Sequence, residues 1–480
     1  MTEGRRDTLA PTTEALQALF AAQCANRWSL ARTGAVERRA KLIRLAEAVR
    51  ARRPAIREAI REDFRKHPDE RELTEIGPAL EEIRFAVHHL DGWMKPRRVP
   101  TTIATAGGRS WIRHEPKGVV LILSPWNYPF NLAMVPLTAA VAAGNCVVLR
   151  PSDKVPKTAR VLHDLVAEVF PPHEAAVVLG GHDVAEALLD MPFDHIFFTG
   201  STSVGRRVMA MAARHLSSVT LELGGKSPAL VDETADVPAA AERLAWGKFI
   251  NAGQTCVSPD YVLVQERIAD ALAAALRRAI EGFYGTDIAA QLASPSLPSM
   301  IDAGAIARIE TAVRETVAAG AVALMGGESD PAKRRLTPTL LTRVPRGSAI
   351  MRDEIFGPVL PLIVYREFDE AVEIMRSHGK PLAMYIFSRS NANVDRLLAE
   401  TTSGGVTVNN TILHLANPHL PFGGTGSSGQ GNYHGRFGFE TFSHARAVYR
   451  QWLPPGAKLL YPPYGPGTRR ALRFLRLLTG

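Results

Sequence analysis

Only three cysteines, Cys24, Cys146 and Cys256, occur in 480 residues, an odd and sparse set that speaks against a disulfide framework and favours a reducing compartment. No apolar run can cross a bilayer. The richest stretch, residues 118–149, is broken by Pro125, Asn127, Pro129, Asn131, Pro136 and Asn145 and reads as buried core. Met1-Thr-Glu-Gly-Arg-Arg-Asp has early charge but no apolar segment behind it, so a secretory signal is not supported. Acidic residues are outnumbered, 48 against 57 basic ones, giving a formal charge of +9. The basic residues are scattered in clusters as short as Arg50-Ala-Arg52-Arg53, which reads as a solvated surface and not as a nucleic-acid footprint.

What is present is ordinary for a globular protein: 46% hydrophobic and 22% charged residues. At 480 residues the chain exceeds the roughly 250–300 at which one core stops growing, so two or three domains are expected. From Thr13 to Trp93 the period is helical, with Leu42, Leu45, Ala46 and Val49 on one face. Residues 95–109 read as a linker or exposed excursion. Apolar runs at 118–123, 146–149, 176–179, 195–199 and 219–223 then alternate with helical stretches at 132–143, 157–170, 184–189 and 204–216. That alternation predicts an α/β fold with a five-stranded parallel sheet covered on both faces. A second α/β set begins with a helix at 237–249, a strand at 261–264 and a helix at 268–283. Residues 285–300 resemble a surface loop, 423–435 a glycine-dense loop, and no internal repeat is visible.

The fourth strand leads into Thr199-Gly200-Ser-Thr-Ser-Val-Gly205 and then a helix, a placement that suits a phosphate at helix-terminal N–H groups. Arg206-Arg207 stands where a P-loop needs Lys-Ser/Thr, and Thr202 where the dinucleotide fingerprint needs glycine. A literal G-x-G-x-x-G at Gly424, Gly426 and Gly429 has no convincing strand before it or helix after it, and reads as a chance match. Gly200–Gly205 remains open between a nucleotide site and a plain tight turn.

Cys24 and Cys146 read as small buried hydrophobes. Cys256 follows Gly253-Gln-Thr at the end of a predicted helix, where a thiol can face a cleft. A thiol of ordinary pKa is only slightly ionised at neutral pH, so nucleophilic use requires a base or positive charge nearby. Glu222 ends an apolar strand at the carboxyl edge of the sheet, where a carboxylate is costly unless it is paired or functional.

Leu221-Glu222-Leu-Gly-Gly-Lys-Ser-Pro, Gly253-Gln-Thr-Cys256 with the thiol 34 positions after the acid, Pro125-Trp-Asn127-Tyr-Pro and Glu354-Ile-Phe356-Gly-Pro together closely resemble the aldehyde dehydrogenase superfamily. Similarity runs to about Arg450. Phe193-Asp-His-Ile-Phe-Phe-Thr-Gly, Tyr433-His-Gly and Tyr461-Pro-Pro resemble its class 3 branch, which includes enzymes for aromatic and fatty aldehydes and to which bacterial coniferyl aldehyde dehydrogenases are similar.

The resemblance implies a modified Rossmann cofactor domain at 1–96 and 118–224, a catalytic domain at 225–425, a small β oligomerisation element at 97–117 and 436–452, and a tail at 453–480. It implies that Cys256 attacks the aldehyde, that Asn127 and the Cys256 N–H hold the oxyanion, and that after oxidation Glu222 activates the water that cleaves the thioester. Pro125, Trp126, Arg150, Ser152, Asp153, Gly180, Gly181, Gly200, Ser201, Gly205, Leu223, Glu354 and Phe356 would hold NAD, with NADP close behind. The reservation comes from Arg150-Pro-Ser-Asp153, where the family usually has Lys-Pro-Ser-Glu. Tyr128, Leu132, Thr255, Val257 and Phe422 would line an apolar aldehyde tunnel suited to aromatic or medium-to-long aliphatic aldehydes. No metal is implied. A homodimer is, and absence of a long apolar anchor in 453–480 leads to an expected cytoplasmic enzyme. The tail sequence Arg469-Arg-Ala-Leu-Arg-Phe-Leu-Arg-Leu-Leu is basic and apolar, open to surface contact with a membrane or partner. Two rival readings keep the cysteine: a coenzyme A-acylating dehydrogenase, which would not need Glu222, and a cofactor-independent cysteine hydrolase using His414, His419 or His434.

Overall fold

The computed structural model describes residues 11–102, 105, 107–452 and 461–479. The readings at residues 1–7 and at 453–460 of the tail lie outside the described residues. Helices Thr13–Ala31, Ala35–Ala51, Arg53–Phe64 and Gly77–Met94 form the opening region, and Leu42, Leu45, Ala46 and Val49 are buried as their spacing predicts. A π-helical turn, Glu72–Ile76, precedes the last of these helices and turns Glu75 inward.

Five parallel strands, Val119–Leu123, Cys146–Arg150, Ala175–Val177, His195–Thr199 and Ser218–Glu222, make the first sheet. Their order in space is fifth, fourth, first, second, third. The fourth strand therefore lies beside the first, and the connections diverge there. Such a switch point opens a crevice at the carboxyl ends of the two strands, and the loops bordering it are the two that carry Pro125–Asn127 and Gly200–Gly205. The covering helices are Asn131–Ala143, Pro156–Val169, His182–Leu189 and Thr202–Ala213. The last ends three residues before its predicted limit because the chain reverses through Leu216, which adopts a positive φ of 56°.

A two-residue strand, Gly429–Gln430, lies antiparallel on Ser218–Glu222 with Gly429 opposite Glu222, inside the stretch read as a loop. A Cβ on Gly429 would stand 2.0 Å from the Leu221 carbonyl, and one on Gly424 2.0 Å from that of Ser428. Close backbone packing accounts for these glycines, as the failed phosphate match requires.

The second sheet has seven strands in the order Val322–Met325, Thr339–Thr342, Val359–Tyr365, Tyr261–Gln265, Pro228–Val231, Ala383–Phe387, Gly405–Val408, antiparallel only at the first pair. Part of the 95–109 stretch is ordered as strand: Arg97–Val99 pairs with Gly108–Pro116, which pairs in turn with Ser443–Gln451. Residues 285–300 are not a surface loop. They contain the helix Ile288–Ala293, and Leu297, Ser299 and Met300 are buried because Ser299 donates its N–H to the Phe64 carbonyl and accepts at its own carbonyl from Gln254. Among the described residues no helix is long and apolar enough to cross a membrane.

Candidate active site

The fully buried strand Val119–Leu123 delivers Asn127 to the crevice. Behind it, the Lys66 ammonium and Glu75 carboxylate form an ion pair 2.8 Å apart with both side chains at 0% exposure. Glu75 also accepts from the Phe130 and Asn131 N–H groups at 3.1 Å each, closing the start of the following helix. Lys66 donates to the Asn127 carbonyl at 3.3 Å, and the Asn251 amide donates to it at 2.8 Å. The Asn127 backbone is thereby fixed. Asn127 Nδ2 donates 3.1 Å to the Gln254 carbonyl, two residues before Cys256.

The cysteine loop is built from strain. Asn251 and Ala252 both have φ of 52° and Gly253 72°, consecutive left-handed residues of which only the glycine is comfortable. A Cβ at 253 would lie 2.3 Å from the Gly357 carbonyl, so this glycine lets the cysteine loop touch the Glu354–Pro358 loop. Buried Gln254 holds the turn, donating to the Asn251 and Ser299 carbonyls and accepting from Ile301 N–H. Glu70 accepts from Asn251 N–H at 2.9 Å. Glu70 also faces a cavity of about 910 Å³ with Leu73, Trp246, Ile250 and Phe283, which contains none of the motif residues.

Cys256 is half-buried. Burial first, then the Glu354 and Glu222 carboxyls, push its thiol up to about 12, against partial relief from the backbone N–H groups of Cys256 and Val257. A nucleophilic thiolate here therefore needs an acceptor for its proton. Glu222, 2% exposed, has neither carboxyl oxygen partnered among the described residues, and burial raises its pKa well above the ordinary value. A carboxylate so displaced is a stronger base. Tyr433, fully buried and edge-on to Phe197 at 5.0 Å, senses the charge of both Glu222 and Cys256.

Glu354, half-buried, is pushed up to about 8 by burial and by Asp260, with Gly225 N–H, Lys248 and Lys226 opposing. Its loop is tied down by the buried Lys226, whose ammonium reaches Asp260 at 2.5 Å and the Ile350 and Asp353 carbonyls at 2.8 and 3.0 Å. Asp260 accepts in turn from Ile355 N–H. Phe356 sits edge-on to Trp126, ring centroids 5.4 Å apart.

The residues proposed to hold a dinucleotide fit one. Ser201 caps the helix Thr202–Ala213, leaving its first N–H groups at the crevice. A Cβ at Gly205 would meet Leu223 at 2.6 Å, and one at Gly224 would meet the Glu354 carboxyl at 2.1 Å, so glycines make the cradle. Arg150 donates to the Gly180 and Gly181 carbonyls at 2.8 and 2.9 Å and to Asp153 at 3.1 Å. Asp153 is over half exposed, whereas Ser152 is buried and accepts from Lys154 N–H.

Of the residues assigned to the tunnel, three are brought together: the Tyr128 hydroxyl lies 2.6 Å from Thr255 Oγ1, and Leu132 sits one helical turn beyond Tyr128. Val257 and Phe422 are buried, Phe422 against His434 and Tyr433 at 5.2 and 5.6 Å. His414 pairs with Thr407, His419 packs on Phe85, and no described histidine hydrogen-bonds Cys256. Lys66, Glu70, Glu75, Asn251 and Asp260 carried no sequence signal of their own, and Lys226 and Tyr433 only their places in motifs. Among the described residues no group of three or more His, Cys, Asp or Glu could hold a metal ion.

Comparison with known proteins shows the family. The family model described as the aldehyde dehydrogenase family matches residues 7–448. The chain is 43% identical to aldehyde dehydrogenase family 3 member B1 of Homo sapiens over 91% of its own length and 92% of that protein. It is 41% identical to a probable coniferyl aldehyde dehydrogenase of Pseudomonas aeruginosa over 95% of each. The solved substrate-bound state of Staphylococcus aureus AldH superposes with a TM-score of 0.91 at 38% identity, covering 96% of this chain and 99% of that one. On these matches the chain belongs to the aldehyde dehydrogenase family and is an NAD(P)-dependent aldehyde dehydrogenase.

Proposed function

We propose that this enzyme oxidises aromatic or medium-to-long aliphatic aldehydes to acids, with Cys256 as nucleophile, Asn127 Nδ2 and the Cys256 N–H as oxyanion donors, and Glu222 as the base of hydrolysis. The thiol adds to the aldehyde carbon, and the developing oxyanion meets donors already fixed in place. When bound, NAD(P) accepts the hydride that converts the adduct into a thioester. Glu222 then takes a proton from the water that attacks the thioester. The observation that carries this reading is the buried Glu222 carboxyl beside Cys256, unpartnered among the described residues. A coenzyme A-acylating enzyme would have no use for that base. The half-buried Tyr128 and Leu132, and the name of the coniferyl relative, favour apolar substrates. Absorbance of reduced cofactor on mixing protein, NAD and an aldehyde panel tests it. Turnover of acetaldehyde without benzaldehyde-like or long-chain compounds would overturn the substrate class.

NAD is our choice over NADP. Arg150 Nη2 is held by the Gly180 and Gly181 carbonyls, and the exposed Asp153 carboxylate repels a 2′-phosphate. We further infer domains at 1–96 with 118–224 and at 225–425, a tail at 453–480, and a cytoplasmic homodimer paired through 97–117 and 436–452. Light scattering tests the dimer.

A further inference from the structure

We propose that Lys117 is a site of covalent modification by aldehydes, its side-chain amine condensing with the carbonyl group to an imine at the amino edge of the first sheet. Lys117 lies two residues before the strand Val119–Leu123, and its neighbours His195 and Ser218 begin the fourth and fifth strands. Glu222 ends the fifth. The cluster therefore stands the length of a strand, roughly 13 Å, from the edge that carries the oxidation chemistry.

The first observation is the set of groups around the amine. Lys117 Nζ lies 3.1 Å from His195 Nδ1 and 3.0 Å from Ser218 Oγ, and those two atoms are 2.9 Å apart. Neither partner is an anion. Ser218 Oγ also lies 3.1 Å from the Asp194 carbonyl, while the Asp194 carboxylate is taken up by Val119 N–H at 2.7 Å and Arg27 at 3.8 Å. The Phe442 ring stands edge-on to His195 at 5.3 Å, and its carbonyl accepts from Lys117 N–H at 3.3 Å, closing the dry side of the cluster. The His195 ring is buried, with Nε2 unpartnered among the described residues. Burial, then the Lys117 charge, holds it well below its ordinary pKa, so it faces the lysine as a neutral acceptor.

The second observation is the contrast with other lysines. Lys41, Lys66, Lys154, Lys157, Lys226 and Lys333 each reach a carboxylate within 3.2 Å. Lys248 is fully buried, and Lys95 and Lys380 are exposed. Among the described residues Lys117 alone is half-buried without a carboxylate partner, and the exposed Ser218 beside it leaves a path to solvent. Burial pushes its ammonium down to about 8. At about pH 7.4 roughly a fifth of it is then neutral amine, against about a thousandth of an ordinary lysine.

Only the neutral amine is a nucleophile. Its lone pair attacks the carbonyl carbon, and the proton lost from nitrogen passes to the carbonyl oxygen, with the Ser218 hydroxyl placed to carry it. The carbinolamine then expels that oxygen as water and leaves a C=N bond. One amine and one aldehyde give one imine and one water, with no oxidant or reductant. The reagent is the aldehyde that the enzyme meets as substrate.

The full chain is incubated with benzaldehyde and cyanoborohydride, which reduces an imine to a stable secondary amine, and the labelled peptides are quantified by mass spectrometry. NAD is left out, so the result does not depend on turnover. Lys117 is expected to label at least about ten-fold faster than Lys95 or Lys380 near pH 7.4, its larger neutral fraction being partly offset by weaker basicity. The ratio of Lys117 to Lys95 labelling should fall about ten-fold or more between about pH 7 and pH 10, as the ordinary lysine loses its proton. Ser218→Asp sets a carboxylate beside the amine and is expected to cut Lys117 labelling about ten-fold near pH 7.4. The same variant should keep wild-type NAD-dependent oxidation, which separates this site from the proposed activity. Equal labelling of the three lysines, a ratio that does not change with pH, or undiminished labelling in a folded Ser218→Asp protein overturns the proposal. Should that variant fail to fold, the wild-type ratio decides alone. A Lys117 that takes no label overturns it too, assigning the amine to a covered face of the dimer.

Discussion

Asn127 Nδ2 and the Gln254 carbonyl lie 3.1 Å apart, and this bond couples the loop after the first strand to the turn that presents Cys256. The amide is oriented before any substrate arrives, held at its backbone by Lys66 and Asn251. Preorganised donors lower a barrier because no reorganisation is needed as charge develops. Asn127→Ala is therefore expected to lower kcat/KM by about 10²–10³ with little change in fold. Steady-state kinetics with circular dichroism check this, and an unchanged kcat/KM would remove Asn127 from the oxyanion role.

The roles of Cys256 and Glu222 separate in time. Cys256→Ser is expected to abolish reduced-cofactor formation altogether. Glu222→Gln should leave the first turnover as a rapid burst and slow the steady state about 10²–10⁴-fold, the usual worth of a general base. In the wild type the slow step should accelerate as pH rises through the raised Glu222 pKa. In the Gln variant it should be flat. Stopped-flow absorbance reads both, and loss of the burst would place Glu222 in thiol activation.

The same displacement bears on stability. Between the ordinary value of 4.5 and its raised folded value, the native Glu222 holds a proton that the unfolded chain has released, so stability falls as pH rises through that window. Glu354, pushed up to about 8, and Glu70, to about 7, act with the same sign. Glu222→Gln removes one of these contributions, and its Tm should exceed the wild type's at about pH 8, with the gap closing toward pH 4. Calorimetry at both pH values decides it.

Breaking the Lys66–Glu75 pair leaves one charge unpaired in a dry interior. Glu75→Ala is expected to cost about 3–5 kcal/mol, and Lys66→Met with Glu75→Leu distinctly less. Urea unfolding measures both. Equal losses would mean that Glu75 acts through the Phe130 and Asn131 N–H groups and not through the lysine.

Asp153→Ala should raise kcat/KM for NADP relative to NAD by removing the carboxylate that repels a 2′-phosphate. Arg150→Ala should weaken both cofactors, because the Gly180–Gly181 turn loses its tether. A wild-type preference for NADP would defeat the assignment.

The five parallel strands, their helices and the four motifs were legible in the sequence, since apolar alternation and turn glycines are local properties that burial merely ratifies. The ends shifted by one to three residues, and Gly429–Gln430 was missed because two residues carry no period. Residues 285–300 looked like a surface loop on Ser and Pro content, yet Gln254 and Phe64 draw them inside.

What the sequence determined alone was which residues could do the chemistry: a thiol, an acid and an amide in motifs whose order admits few readings. What the tertiary structure decided was the support beneath them. Lys66 meets the Asn127 carbonyl across 61 positions of chain, and Glu70 meets Asn251 across 181. A charged residue in a short link or turn between helices has the same local pattern whether it faces water or a buried loop. Only the packing of distant segments removes the water, and that removal makes its pairing obligatory.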